Sequence, residues 1–372
     1  MLNFYVTLTT ECNLQCLYCY GKSCEDFGSD FNDLTLDYAL PSSVSYDTEF
    51  LLTFLKSELN STVVFYGGEP LVKQDKLKEI MDALPTDRFV LQTNGILLDQ
   101  LDSSYVNRFE SIFVSLDGDE ALTDHYRGKG TYRKVMNNLE ILRENDYLGE
   151  IVARMTVGDA TDIDTQVLEL VRNPLISGVH WQLDALFWQN DYPRRRFAEW
   201  VRESYNPRVR KLIEKWVEHM RTEGEVWTLY PFNGIFHSLL ANQSSKLRCG
   251  AGWRIFNVQT DGHITPCPVM AGMKDFYVGS IMTDTPRSLR TVSVGEPCAS
   301  CDILTLCGGR CLYANVTKLW GPAGFEEVCQ TVRNLINGVT EVMPEIRKLI
   351  EDRKISLKDF KSPDYNGCEV IP

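Results

Sequence analysis

The stretch Cys12-Asn13-Leu14-Gln15-Cys16-Leu17-Tyr18-Cys19 follows a strand-like apolar run at residues 4–8 and carries three thiols at short spacing. Thiols so close in sequence can share one small metal site, because a single turn brings their side chains together. No fourth ligand is obvious, so the stretch predicts a metal cluster with one open position. Cys24, in the acidic, serine-rich segment 20–45, has two interpretations. It is either an alternative fourth ligand or an ordinary thiol of that segment.

The other cysteines lie far along the chain. Of twelve cysteines in all, seven fall within residues 249–329, and Cys368 stands alone near the C-terminus. A reducing compartment would not keep them as structural disulfides, so metal binding is the natural alternative. Zinc is the competing interpretation, but only Cys298 and Cys301 form a CxxC pair, and the five histidines do not occur in ligand-spaced couples. The pattern predicts metal centres in two separate parts of the chain.

The overall composition is that of a globular protein large enough to form two or three structural units. The chain has 372 residues, of which 44% are hydrophobic. Its 38 basic and 51 acidic residues give a formal charge of −13, which would repel nucleic acid and anionic membranes. Neither a signal peptide nor a membrane-spanning run is evident, so we expect a cytoplasmic protein with no nucleic-acid or membrane partner.

Short β-rich runs alternate with amphipathic stretches over the first 223 residues. Such alternation predicts an α/β fold with a parallel sheet and crossover helices, and it leaves open whether the sheet is a barrel or flat. The predicted strands are residues 4–8, 63–66, 89–92, 112–116, 151–157 and 179–183. The predicted helices are residues 48–59, 76–84, 97–109, 132–144, 165–172 and 202–223.

Three further motifs each follow a strand-like run, and their order matches that of a known family. The CxxxCxxC stretch with an aromatic residue before its last cysteine resembles the signature of the radical S-adenosylmethionine (SAM) superfamily. The later motifs resemble its SAM-binding elements: Gly67-Gly68-Glu69-Pro70, Thr93-Asn94-Gly95 and Ser115-Leu116-Asp117-Gly118.

The late cysteines, together with one glycine, resemble the seven-cysteine SPASM motif of a subgroup of that superfamily. The matching residues are Cys249, Gly262, Cys267, Cys298, Cys301, Cys307, Cys311 and Cys329. The resemblance implies a partial six-stranded (β/α) barrel over residues 1–230. A SPASM domain with its bridge would then occupy residues 231–340, and a helix and tail residues 341–372.

The resemblance also implies three [4Fe–4S] clusters and bound SAM. Cys12, Cys16 and Cys19 would hold the SAM-binding cluster. The remaining SAM contacts would come from Gly67, Gly68 and Glu69 at the amino group, Ser115 and Arg127 at the ribose and carboxylate, Asn94 in the same pocket, and Tyr18 beside adenine or as a wall of the cluster pocket.

In the SPASM pattern, one auxiliary cluster takes Cys298, Cys301, Cys307 and Cys329. The other takes Cys249, Cys267 and Cys311, which is one ligand short. Relatives supply a further cysteine about six residues before the first, where this chain has Gln243. Either that cluster has an open iron, or Cys368 folds back to complete it.

The resemblance predicts an enzyme that cleaves SAM reductively to a 5′-deoxyadenosyl radical and oxidises a peptide or protein. The leading hypothesis is formation of a thioether or carbon–carbon crosslink in a ribosomally made peptide. The first alternative is an anaerobic sulfatase maturase that makes formylglycine, but such enzymes carry a basic Asp after the cysteine matching Cys267, and here Pro268 stands there. The second is a noncatalytic iron–sulfur electron carrier.

Partners follow from the same hypothesis: a peptide or protein substrate, and a reductant such as ferredoxin or flavodoxin. Because the barrel begins within a few residues of Met1, we expect no N-terminal winged-helix module, and leader recognition would use the barrel mouth, the tail or a separate protein. Arg154 and Asp184, near predicted strand ends, are candidates for the wall of the substrate pocket, although core or surface ion-pair roles would explain them equally well.

Overall fold

The computed structural model describes residues 1–19, 34–58, 60–84, 88–184, 196–318 and 320–361. In this part of the chain, nine strands form one sheet in the order β6-β5-β4-β3-β2-β1-β7-β8-β9. The first seven strands of this order, from β6 across to β7, pair parallel with one another. Strand β8 pairs antiparallel with both β7 and β9. The strands are β1 Asn3–Thr9, β2 Thr62–Gly67, β3 Phe89–Thr93, β4 Phe109–Ser115, β5 Glu150–Val157, β6 Gly178–Leu183, β7 Ile255–Val258, β8 His263–Thr265 and β9 Gly279–Ser280.

Helices connect the parallel strands and continue into the C-terminal part. They are α1 Thr48–Lys56, α2 Gln74–Ala83, α3 Ser103–Val106, α4 Glu120–Arg127, α5 Thr131–Glu144, α6 Ile163–Val171, α7 Phe197–Trp200, α8 Asn206–Glu223, α9 Tyr230–Ala241, α10 Leu304–Cys307, α11 Leu312–Thr317 and α12 Gly321–Glu351. Short 3-10 turns occur at Pro70–Lys73, Leu98–Gln100, Pro268–Met270, Lys274–Phe276 and Leu357–Asp359, and a π-helical turn, Val201–Tyr205, joins α7 to α8.

The parallel strands are buried on both faces, and this explains their nearly continuous apolar sequences. One face packs against the surrounding helices in the main core, to which β1 contributes Phe4, Val6 and Leu8. The other face forms a second, smaller apolar cluster of Tyr5, Val64, Val90, Phe113, Val152, Tyr230 and Ile255. Since alternate residues of six strands meet there, this cluster is the floor of the barrel interior. The predicted α/β class and parallel sheet are confirmed.

One predicted helix is wrong. Residues 97–109 contain only the turn Leu98–Gln100 and the short helix Ser103–Val106, and strand β4 already begins at Phe109. The backbone becomes extended at Leu101, which ends the first turn. Asp102, Ser103 and Ser104 then supply side chains that compete for backbone hydrogen bonds and disfavour a continuous helix.

The long helix α12 begins well before the predicted C-terminal helix. It runs without interruption from Gly321 to Glu351, across the boundary predicted at 340/341, with Pro322 at its start and Pro344 in its interior. It packs against α8 through contacts such as that of Arg210 Nε with Asn334 Oδ1, 2.8 Å apart. No helix among the described residues is long and apolar enough to cross a membrane.

Candidate functional site

The carboxyl ends of the parallel strands carry most of the residues singled out by the sequence. Because the strands are parallel, the segments that follow β1 to β6 all leave the sheet at one end of the barrel. These segments contain the three mouth cysteines, Cys12, Cys16 and Cys19, together with Gly67-Gly68-Glu69, Asn94 and Ser115. The site is therefore assembled at the end where parallel barrels place their chemistry.

Two glycines at the end of β2 support the loop that carries the mouth cysteines. The N–H of Gly68 donates to Thr9 O at 2.8 Å, and the N–H of Glu69 donates to Glu11 O at the same distance. A Cβ on Gly67 would lie 2.3 Å from Thr9 O, and one on Gly68 would lie 2.3 Å from Glu11 O. No side chain fits between these backbones, so the glycine pair is required by the approach of the cluster loop itself.

The three mouth cysteines lie within electrostatic range of one another. Burial raises the pKa of Cys16, the nearby Arg127 lowers it, and the charges of Cys19 and Cys12 raise it again. Burial likewise raises the pKa of Cys12, whereas the N–H of Leu14, 3.4 Å from its sulfur, lowers it. A group that binds these sulfurs as thiolates must overcome this clustering of negative charge, which a positively charged metal centre does.

Asn94 and Glu69 form a second contact to this loop. The side-chain N–H of Asn94 donates to Asn13 Oδ1 at 2.7 Å and lies 3.7 Å from Cys12 Sγ. The fully buried carboxylate of Glu69 accepts from the backbone N–H groups of Asn94 and Leu71 and from the hydroxyl of Thr93. Glu69 thus ties the ends of β2 and β3 together, with one of its four acceptor positions left over.

Asp117 is a central residue to which the sequence analysis assigned no role. Its carboxylate accepts two hydrogen bonds from Arg127, both at 2.8 Å, one from Tyr18 Oη at 2.6 Å and one from the backbone N–H of Thr156 at 3.0 Å. Asp117 is wholly buried and the side chain of Arg127 is 6% exposed. Arg127, expected beside SAM, thus spends two of its donors on an internal ion pair. An acidic residue ten positions before Arg127, in a strand-end motif, was the available signal.

Tyr18 lies among protein groups on several sides. Its ring centroid is 5.1 Å from that of Tyr126 and 5.4 Å from the guanidinium carbon of Arg127. Burial raises the pKa of Tyr18, so its phenol stays protonated and donates to Asp117. The adjoining backbone is also held, because Leu17 N–H donates to Tyr126 O at 2.9 Å.

Above the apolar floor, the barrel interior is polar. Two residues further along strands β3, β4 and β5 from that floor stand Gln92, Ser115 and Arg154, all partly exposed. Arg154 donates to Gln92 Oε1 at 3.4 Å and to Gln182 Oε1 at 3.1 Å, and it is the register partner of Ser115. Arg154 therefore carries a positive charge in this polar layer, beside Ser115 at the end of β4, where a SAM contact is expected.

The C-terminal cysteines act electrostatically on one another within two groups. Burial raises the pKa of Cys249 to about 11, and the charges of Cys311 and Cys267 act within the same set, which we name the barrel-side cysteines. Arg154 also acts on Cys249, which places this set towards the barrel interior. The helix-side cysteines interact in the same way and are Cys298, Cys301, Cys307 and Cys329.

The donor sets are made of thiols alone, which suits iron–sulfur clusters. Ligands of a cluster bind different iron atoms, so they need not converge on one point as the ligands of a single ion must. Among the described residues, no three His, Cys, Asp or Glu side chains are arranged to hold one metal ion. Cys24 and Cys368, the two alternative ligands, lie outside the described residues. Cluster binding by each cysteine stays a prediction.

Comparison with known proteins agrees with this architecture. Residues 6–171 match the family described as the radical SAM superfamily. A cysteine-type anaerobic sulfatase-maturating enzyme of Clostridium perfringens (strain 13 / Type A) is 22% identical over 361 residues, which cover 87% of this chain and 92% of that enzyme.

Two solved structures are similar in fold. That of native anSMEcpe with bound AdoMet and the Cp18Cys peptide has a TM-score of 0.68 at 19% identity and covers 94% of this chain and 99% of its own. That of Streptococcus suis SuiB bound to the precursor peptide SuiA has a TM-score of 0.53 at 18% identity and covers 85% and 73%. Residues 6–171 therefore form a domain of the radical SAM superfamily, and over almost its whole length the chain has the fold of anSMEcpe.

Proposed function

We propose that this radical SAM enzyme oxidises a residue of a peptide or protein substrate bound at the open end of the barrel. The observation that carries the proposal is that the mouth cysteines and the polar layer of Gln92, Ser115 and Arg154 lie at the same end of the parallel strands. Two proteins of the same fold support it, because anSMEcpe has been solved with a bound peptide and SuiB with its precursor peptide.

The residues at the strand ends divide the work of binding. Cys12, Cys16 and Cys19 hold the [4Fe–4S] cluster, which, when bound, supplies the electron that cleaves SAM to a 5′-deoxyadenosyl radical. The backbone of Gly67 and Gly68 and the remaining acceptor position of Glu69 bind the SAM amino group, and Asn94 and Ser115 line the same pocket. Arg127 and Tyr18 would contribute to this binding indirectly, because both donate hydrogen bonds to Asp117.

The barrel cavity would orient the substrate. Its apolar floor is closed by Phe113, Val152 and Tyr230, so a substrate enters only as far as the polar layer. Arg154, held by Gln92 and Gln182, presents its charge there to a carboxylate or a backbone carbonyl. The same guanidinium lowers the pKa of Cys249, which supports a position of the barrel-side cysteines beside the proposed substrate.

The cysteine sets beyond the barrel would hold two auxiliary [4Fe–4S] clusters. Four helix-side thiols can complete one cluster. Among the described residues, three barrel-side thiols would bind the other cluster, and we propose that its fourth iron binds a substrate thiolate or carboxylate. Removal of a hydrogen atom would leave a substrate radical, and formation of a bond to sulfur or carbon would then release one proton and one electron, for which an auxiliary cluster would be the acceptor.

The bond formed is, in this proposal, a thioether or carbon–carbon crosslink in a ribosomally made peptide. Formylglycine formation by a sulfatase maturase is the second candidate, favoured by similarity over 92% of the Clostridium perfringens enzyme. Against it stands Pro268, which begins a 3-10 turn directly after Cys267 and has no group to accept a proton. A reductant such as ferredoxin or flavodoxin, and a separate leader-binding protein, complete the proposed set of partners.

The test is anaerobic incubation of the cluster-reconstituted protein with SAM, a reductant and candidate peptides, with mass spectrometry of both products. We expect 5′-deoxyadenosine and a peptide lighter by two hydrogens that does not react with a hydrazine probe for aldehydes. A hydrazine-reactive product on a sulfatase peptide would favour the maturase. Fully loaded clusters without 5′-deoxyadenosine would leave only an electron carrier.

A further inference from the structure

We infer that Asp117 is a positioning residue for the SAM-binding cluster. It acts through Tyr18 and Arg127 to fix the loop of the mouth cysteines, and it neutralises the charge of Arg127 beside Cys16. The inference rests on the proposed role of Cys12, Cys16 and Cys19 as cluster ligands. The carrying observation is that one buried carboxylate joins the cluster loop to three other segments of the barrel.

The contacts show how the loop is fixed. Tyr18 is the residue between the second and third mouth cysteines, and its phenol donates to Asp117 Oδ2. The same oxygen accepts from Arg127 Nε at the end of α4, and the other oxygen accepts from Arg127 Nη2 and from Thr156 N–H on β5. The four donors approach from three directions, so rotation of the carboxylate would break several bonds at once.

Burial makes these bonds costly to lose. Asp117 is fully buried and Arg127 nearly so, and removal of one member of such a pair leaves the other as an uncompensated buried charge. Tyr18 depends on the pair as well, because its ring lies over the guanidinium while its hydroxyl reaches the carboxylate. The cluster loop thus has a rigid support beneath it, independent of the glycine contacts at its other end.

Charge gives Asp117 a second effect. Both Arg127 and Asp117 act electrostatically on Cys16, with opposite signs. A bare guanidinium at this place would stabilise the more negative, reduced cluster and raise its reduction potential. A cluster that reduces a sulfonium needs a low potential, and the carboxylate keeps the nearby net charge at zero.

Asp117→Asn tests both effects, and Asp164→Asn is the matched control. Asp164 is also almost fully buried and is paired with Arg208 at 2.7 Å, but it lies on α6, and its cationic partners Arg208 and Lys211 lie on α8 and not on the loop of the mouth cysteines. We expect Asp117→Asn to speed the loss of the SAM-responsive EPR signal to an iron chelator about tenfold and to raise the midpoint potential of that signal. Asp164→Asn should leave both quantities as in the unaltered protein. Equal behaviour of the two variants would overturn the inference.

A gentler pair covers the case in which Asp117→Asn does not fold. Tyr18→Phe removes only the hydroxyl that donates to Asp117, and Tyr105→Phe removes a surface hydroxyl that donates to Asp82 over the same 2.6 Å. Faster iron loss in Tyr18→Phe than in Tyr105→Phe supports the inference, and equal rates contradict it. Cys16→Ser tests the premise separately, because it removes a proposed cluster ligand. An unchanged SAM-responsive EPR signal in that variant would disprove the proposed cluster site and not the role of Asp117.

Discussion

The mouth cysteines and the helix-side cysteines are both sets of thiols suited to an iron–sulfur cluster, yet the protein holds them in different ways. The mouth loop is held chiefly by backbone: Thr9, Glu11 and Leu17 exchange main-chain hydrogen bonds with the neighbouring strand end and helix. The helix-side thiols are spread over the loop before α10, the last residue of α10 and the interior of α12, and Arg333 reaches Cys301 Sγ from α12 at 3.5 Å. Different tolerance of mutation should follow.

The charges around the two sets also differ. At the mouth, the cation nearest Cys16 is Arg127, and the buried Asp117 neutralises it. At the helix-side set, Arg310 acts on Cys307 and Cys329, and Arg333 donates to a sulfur while its partner Asp302 remains largely exposed to solvent. Cations and N–H···S hydrogen bonds favour the reduced form of a cluster. We therefore expect a cluster at the mouth to have a lower reduction potential than a cluster at the helix-side set.

The largest effect expected on this comparison comes from Gly68→Ala. The new Cβ would lie 2.3 Å from Glu11 O and 2.5 Å from Thr10 O, and neither backbone can move without shifting the mouth loop. We expect a loss of about 3 kcal/mol in the free energy of unfolding, together with loss of the SAM-responsive cluster. Urea unfolding and iron analysis of the anaerobically purified protein measure the two effects.

Gly295→Ala is the matching change near the helix-side set. The nearest atom to its new Cβ would be Asn315 Oδ1, 4.0 Å away, so the substitution meets open space. Its effect should stay within about 0.5 kcal/mol. Similar losses from both substitutions would contradict the view that close backbone packing distinguishes the mouth.

Glu69→Gln should change how stability depends on pH. Burial raises the pKa of Glu69 to about 7, against the opposing effect of its hydrogen-bond donors. Between about pH 4.5 and 7 the folded protein keeps a proton that the unfolded chain has released, so the free energy of unfolding falls as the pH rises, by up to about 3 kcal/mol. Glutamine cannot ionise and should lack this contribution.

The measurement is urea unfolding of both proteins, without SAM, from about pH 5 to about pH 7.5. Replacing the carboxylate also lowers the free energy of unfolding by an amount that does not depend on pH. The amide N–H₂ would face the N–H and O–H groups that now donate hydrogen bonds to Glu69. We therefore expect the unaltered protein to be the more stable at low pH and its advantage to shrink as the pH rises. An advantage that stays constant across the range would show that Glu69 is ionised throughout.

The smallest effect on stability is expected at the helix-side set. Arg333→Gln breaks a partly exposed ion pair with Asp302, and solvent screening keeps the contribution of such a pair to the free energy of unfolding small. It also removes the N–H···S contact to Cys301, so we expect a lower midpoint potential for the cluster there, measured by EPR redox titration. Arg221→Gln breaks a comparable pair with Glu345 further along α12 and should leave that potential unchanged. A shifted midpoint potential in both variants would show that the change comes from disturbing α12 and not from loss of the N–H···S contact.

Much of the fold could be predicted from the sequence because its signals are local. The six barrel strands begin and end within about three residues of the predicted positions. The missed segment, residues 97–109, has the apolar spacing of a helix but also a run of Asp and Ser residues that end helices. The continuous α12 was not predicted as one helix, because the predicted C-terminal helix was placed only after the cysteine pattern that ends at Cys329.

The sequence predicted which residues belong to the candidate site, but not which of their side chains contact one another. The spacing of Cys12, Cys16 and Cys19 marked them as a set, and the order of the later motifs placed Glu69, Asn94 and Ser115 near them. That Arg127 pairs with Asp117, and that Glu69 joins two strand ends, could not be inferred, because each depends on which side chains meet across the barrel.

By itself, the sequence determined the succession of strands and helices, the two separate groups of cysteines and the glycine pair that ends β2. These are properties of short stretches, in which covalent spacing fixes which side chains share a face or a turn. Only the tertiary structure decided that Tyr18 and Arg127 meet at Asp117, and that Arg154 lies near enough to Cys249 to lower the pKa of its thiol. Such contacts join residues that are distant in the chain, and the packing of the whole barrel selects them.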